Sequence, residues 1–148
     1  MSPTSNTPAY GQGDATYQAA GGLEGITALV DRFYQRMDTL PEARILRAMH
    51  SDDLTSSRQK LTWFLSGWTG GPKLYAEHVG AISIPVAHAH LPADESSVQA
   101  WLTCMDLALQ DLNYPDDFRH YMIQQLSRPA ESIRLMCKFH ADKNANGS

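Results

Sequence analysis

The chain has 148 residues and a formal net charge of −4 at pH 7, from 12 basic and 16 acidic side chains. That length suits one domain able to bury a core, while the acidic balance argues against a nucleic-acid partner, which would need a clustered basic surface. No apolar run is long enough to cross a bilayer, and the opening MSPTSNTPAYGQGD has neither the basic nor the apolar part of a secretory signal, so a cytoplasmic protein is expected.

Residues 1–20 are rich in Ser, Thr, Pro, Gly and Ala and read as a mobile extension, ordered at most near Tyr17. Gly21-Gly22 opens the folded part. Leu23, Ile26, Leu29, Val30, Phe33, Tyr34 and Met37 then recur at helical spacing on one stripe. Pro41 should stop that helix. Residues 43–49 fit a short helix, and His50-Ser51-Asp52-Asp53 offers caps for the next. The second strong helix spans 54–69, with Leu54, Leu61, Phe64, Leu65 and Trp68 on one face. Gly70-Gly71-Pro72 should end it, because glycine takes the left-handed conformation and proline follows. Two turns of helix over 72–78 and an extended stretch over 81–87 come next.

His88 and His90 stand between Pro85 and Pro92, which excludes a long regular helix there. The third strong helix, 95–112, carries Val98, Trp101, Leu102, Met105, Leu109 and Leu112. Asp94 or Ser96 is its expected cap. After Asn113-Tyr114-Pro115, the last helix spans 116–139, with Phe118, Tyr121, Met122, Leu126, Ile133, Met136 and Cys137 as its stripe and a kink expected at Pro129. The tail from 141 should fray. The pattern is all-α, helix packed on helix.

Few residues here can carry chemistry. Cys104 and Cys137 sit among apolar neighbours and read as small buried hydrophobes in a reducing compartment. No phosphate-binding loop, nucleophile elbow, zinc-protease or C-x-x-C motif is found. Asp52-Asp53 and Asp116-Asp117 lie at helix starts, where capping accounts for them. A histidine on a constrained turn beside an apolar wall suits an axial ligand for a buried iron porphyrin; the competing reading of His88 and His90 is an ordinary surface loop. Tyr34 and Trp101 each put a polar hydrogen on an apolar stripe, which requires a partner if buried. His50 is either a surface cap or a third polar group for the same pocket.

TYQAAGG at 16–22, DRFYQRM at 31–37, WFLSGWTGGPKLYAE at 63–77 and QAWLTCM at 99–105 resemble the truncated haemoglobins of group II. The match runs in order from about Tyr17 to Cys137. It implies a truncated globin domain over 17–140, a two-over-two helical sandwich around haem b (iron protoporphyrin IX), preceded by a flexible extension, 1–16, and followed by a disordered tail, 141–148. By this resemblance His88, thirteen residues before Trp101, is the proximal iron ligand and His90 is only its neighbour. Tyr34, Trp101 and His50 take the distal positions. Phe33, Ser57, Leu61 and Phe64 line the haem. Relatives often carry arginines before the axial histidine, but this chain reads ISIPVA there. Propionate anchoring then falls to Lys73 and Tyr75, and less directly to His78.

The resemblance implies binding of O2, CO or NO at iron, with slow O2 release, and a role in NO or peroxide detoxification. An alternative is an enzyme proper, a haem peroxidase or nitric oxide dioxygenase, served by a separate reductase protein because no flavin or nicotinamide motif is present. Tyr34 or His50 reaching the iron would give a six-coordinate resting state. A haem-free helical interaction module is a further alternative.

Overall fold

In the computed structural model the residues described are 9–80, 88, 91 and 93–146, without the side chains of 144–146. The expected extended stretch 81–87, His90 and residues 1–8 lie outside them. The helices are α1 (Ala15–Ala19), α2 (Gly22–Thr39), α3 (Arg44–Ala48, entered through a 3-10 turn at Pro41–Ala43), α4 (Thr55–Trp68), α5 (Leu74–His78), α6 (Glu95–Asp111) and α7 (Asp116–Asn146). No strand occurs among the described residues, and no described helix is long and apolar enough to cross a membrane.

Helix α2 packs against both α4 and α6, and α6 packs against α7, which gives two pairs of helices laid over each other. The core runs between them. Ile26, Leu29, Val30, Phe33 and Met37 of α2 meet Leu65 of α4, Cys104, Met105, Ala108 and Leu109 of α6, and Phe118, Met122 and Leu126 of α7. Leu23 and Leu112, expected on apolar stripes, are exposed instead, because each falls at the end of its helix, past the reach of the facing one.

The ends of the helices explain their placement. Asp94 caps α6: its Oδ1 accepts the Ser97 N–H at 3.0 Å and the Ser97 hydroxyl at 3.1 Å. Before α4, Asp53 Oδ1 accepts the Thr55 N–H at 2.9 Å. Helix α4 ends in a Schellman motif, with the Gly71 N–H on the Ser66 carbonyl at 2.8 Å and the Gly70 N–H on that of Gly67 at 3.1 Å. Gly70 has φ +97°, and a Cβ there would stand 2.1 Å from the Gly13 carbonyl oxygen; one on Gly71 would stand 2.3 Å from the Tyr17 ring. The glycine pair therefore lets the chain before α2 cross closely over the end of α4.

Two expectations change. Tyr10 and Thr16 anchor the stretch 9–16, whose other residues are mostly exposed: the Tyr10 ring meets Phe118 edge-on at 5.5 Å, its hydroxyl donates to Asp117 at 3.1 Å, and Thr16 is buried. An aromatic within the polar stretch supplies the apolar area that the composition as a whole lacks. Helix α7 also continues past Phe139, through the stretch expected to fray, and it is continuous across Pro129. Polar residues such as Asp142 and Lys143 prolong an exposed helix as readily as they end one.

Candidate functional site

Tyr34 enters the site from α2. It is almost wholly buried, its ring edge-on to Phe33 at 4.9 Å and to His50 at 5.8 Å. Its hydroxyl reaches the Ser57 carbonyl of α4 at 3.5 Å, the outer limit of a hydrogen bond. Burial pushes the phenol up to about 12, against the opposing pull of the Arg58 and Arg47 charges. Tyr34 is therefore a neutral phenol that keeps its proton firmly, while its hydroxyl is only weakly hydrogen-bonded.

His50 follows α3 and is half-buried. Its Nδ1 lies 3.0 Å from the Leu46 carbonyl, which can only accept, so Nδ1 carries the proton and Nε2 keeps a lone pair. Burial pulls its pKa below the ordinary value, and the charges of Arg47 and His88 pull the same way; only the Leu46 hydrogen bond opposes them. At neutral pH His50 is thus an acceptor at Nε2. Donation to a ligand from that nitrogen needs a second proton, which the surroundings disfavour.

His88 is half-buried and close enough for its charge to be felt at His50. Its carbonyl accepts the Leu91 N–H at 3.0 Å and the Cys137 S–H at 3.1 Å. Cys137 is buried, as is Cys104, whose thiol burial pushes up to about 11. Trp101 of α6 packs on Phe33 at 5.0 Å.

Leu61, Phe64, Trp68, Trp101 and Leu102 lean on the core yet remain only partly buried. An apolar set left open beside one tyrosine and two imidazoles fits a flat, largely apolar group that needs one nitrogen ligand. The residues present therefore fit a haem. Phe33 lies fully buried behind them, and Ser57 stands half-buried at the α4 side. The residues expected at the propionates are less gathered: Lys73 is exposed, Tyr75 half-buried, and the His78 ring stacks on Trp63 at 4.2 Å. Three contributors were not visible in the sequence. Arg47 and Arg58 belong to no motif, and the Cys137 contact with His88 spans 49 positions.

Two helical pairs, with Tyr34, His50 and Trp101 gathered around Phe33 beside partly open apolar side chains of α4 and α6, define a helical fold of the two-over-two kind. The bacterial-like globin family model matches residues 15–134. The group 2 truncated haemoglobin YjbI of Bacillus subtilis (strain 168) is 32% identical over 120 residues, covering 81% of this chain and 88% of that protein. The chain belongs to the bacterial-like globins, among the group II truncated haemoglobins, and haem binding comes with membership. Among solved structures, the group II 2-on-2 haemoglobin of Agrobacterium tumefaciens superposes with a TM-score of 0.77 at 32% identity, over 88% of this chain and 97% of that one. A truncated haemoglobin of Bacillus subtilis, described as oxygen-avid, gives 0.73 at 30% identity over 80% and 97%. Membership of a globin family displaces the haem-free interaction module.

Proposed function

We propose that this protein is a haem b globin that binds O2, and also CO and NO, with His88 as the axial ligand and Tyr34 and Trp101 as the groups that hold the ligand. The observation that carries this reading is the buried Tyr34, edge-on to His50 and to Phe33, on which Trp101 packs, beside apolar side chains that stay partly open. A haem iron supplies an open coordination position for a diatomic ligand.

The side chains do the rest. The two donors on the His88 carbonyl restrain the peptide that carries the imidazole. The Tyr34 proton, weakly engaged with Ser57, is free to turn toward a ligand oxygen, and Trp101 adds an N–H that can only donate. Such bonds strengthen in a low-dielectric pocket. His50 shapes the same side and accepts at Nε2. Phe33, Leu61 and Phe64 wall the porphyrin, Ser57 stands beside it, and Lys73 and Tyr75 serve its propionates. The oxygen-avid relative supports slow O2 release here.

The test is the visible spectrum of the purified or haemin-reconstituted protein, ferric and reduced with CO. A Soret band that moves with CO, and is lost or strongly altered in His88→Ala but kept in His90→Ala, is the expected result. No Soret band after reconstitution would overturn the reading.

A further inference from the structure

The turn that presents His50 has little backbone support of its own. It follows a five-residue helix, and no regular structure resumes until Thr55. A side chain on such a segment stays in place only if something outside the backbone holds it. Arg47 makes that connection on three sides. Its Nε donates to Asp38 Oδ1 at 2.5 Å, its Nη1 to the Ser51 carbonyl at 3.0 Å and its Nη2 to the Asp52 carbonyl at 3.1 Å. Its own carbonyl accepts the His50 N–H at 3.0 Å.

Asp38 completes the connection. It lies on α2 four residues after Tyr34, one helical turn along the same element. One guanidinium thus ties the turn carrying His50 to the helix carrying Tyr34. The three acceptors are met by three separate guanidinium nitrogens; a lysine ammonium has three donors on one nitrogen, and could keep the Asp38 pair but not acceptors spread around the fork. Asp38 is about half exposed, so the ion pair contributes little to stability as such. Its effect is on position.

We infer that Arg47, anchored by Asp38, is a positioning residue that sets where His50 stands relative to Tyr34 on the distal side. The inference rests on the globin reading, in which Tyr34 and His50 face the ligand. Neither residue of the clasp touches the ligand.

The experiment uses the full-length, haem-loaded protein with Arg47→Gln, Arg47→Lys, Asp38→Asn, His50→Ala and the double variant Arg47→Gln/His50→Ala. Amide hydrogen exchange over residues 48–54 is read in the CO form, together with the O2 dissociation rate. The clasp predicts faster exchange at Met49 and His50, whose N–H groups bond to the Leu46 and Arg47 carbonyls, in Arg47→Gln and Arg47→Lys, and a smaller increase in Asp38→Asn. It predicts that Arg47→Gln shifts the O2 dissociation rate in the same direction as His50→Ala and by no more than that variant does. Added to His50→Ala, it should change nothing further. Unchanged exchange in Arg47→Gln, or a dissociation effect that adds in full to that of His50→Ala, overturns the inference. If His50→Ala leaves dissociation unaltered, the assignment of His50 to the distal side fails, and exchange alone then decides the clasp. Should Arg47→Gln not fold, Asp38→Asn cuts only the anchor to α2, and unchanged exchange in it overturns the inference equally.

Discussion

Burial keeps both Tyr34 and His50 neutral, and so moves their pKa values in opposite directions. Burial raises the phenol to about 12 from its ordinary 10.0. An acid whose folded pKa is raised favours the folded state fully below its unfolded value, and loses that contribution as pH climbs through the folded one. Tyr34 should therefore stay protonated well past pH 10, when exposed tyrosines ionise. A phenolate absorbance titration of wild type against Tyr34→Phe reads this directly: the wild type should show one extra late step, and its absence would mean the ring is wetter than the fold implies. As a donor, Tyr34 should also slow O2 release, so Tyr34→Phe is expected to speed dissociation about fivefold by stopped-flow. His50 runs the other way. Its pKa is depressed, so its stabilising contribution is present above the ordinary 6.5 and lost as pH falls through the lower folded value. An NMR titration of the haem-free protein should find the His50 ring titrating below 6.5, with a proton on Nδ1 throughout. The sequence marked Tyr34 and His50 as polar groups near an apolar stripe. It could not assign donor and acceptor, because that depends on the Leu46 carbonyl meeting Nδ1 after the helix turns.

Among elements, α2 and α6 form the tightest electrostatic joint. Asp111 at the end of α6 accepts from Arg36 through both carboxylate oxygens at 2.7 Å and from Arg32 at 2.7 Å. These bonds, the Arg36 one above all, hold its carboxyl down at about 2. Its contribution is present above the ordinary carboxylate value and is lost as pH falls toward about 2. Asp111→Asn should cost about 1 kcal/mol in urea unfolding at neutral pH, and the difference from wild type should shrink in acid. The joint between α4 and the chain before α2 is steric instead. Gly70→Ala meets both a positive φ and the Gly13 carbonyl, and should cost roughly 2 kcal/mol or more. The stop at Gly70-Gly71-Pro72 was legible from residue type alone, as were α2, α4 and α6 to within a few residues, because local periodicity and capping write those features. What crosses the stop was not legible. Tyr17 and Gly13 come from some fifty positions away, as the Tyr17 N–H on the Thr69 carbonyl illustrates, and no local pattern encodes that approach. The continuation of α7 to Asn146 is not legible either, because polar composition at a helix end is compatible with both an exposed helix and a frayed one.

For the whole molecule, the telling feature is apolar surface that packing leaves uncovered. Leu61, Phe64, Trp68, Trp101 and Leu102 lie against the core but keep an open side, while Leu29, Val30, Phe33 and Leu65 behind them are fully enclosed. The stripes of α4 and α6 announced these residues as core, and a stripe alone cannot distinguish side chains facing another helix from those facing a ligand. The resemblance, rather than periodicity, is what assigned Leu61, Phe64 and Trp101 to the ligand side. If the open side belongs to the porphyrin, haem is part of the core, and binding must stabilise the fold by mass action. With free haem about a thousandfold above its dissociation constant, the gain is about 4 kcal/mol, which for a chain of this size raises Tm by about 10 °C. Calorimetry of the haem-free and reconstituted protein measures it. His88→Ala should lose most of the increment, because the anchoring nitrogen goes, whereas Tyr34→Phe should keep it, because that hydroxyl addresses the ligand rather than the porphyrin. Equal melting temperatures with and without haem would mean that those five side chains are covered by something else.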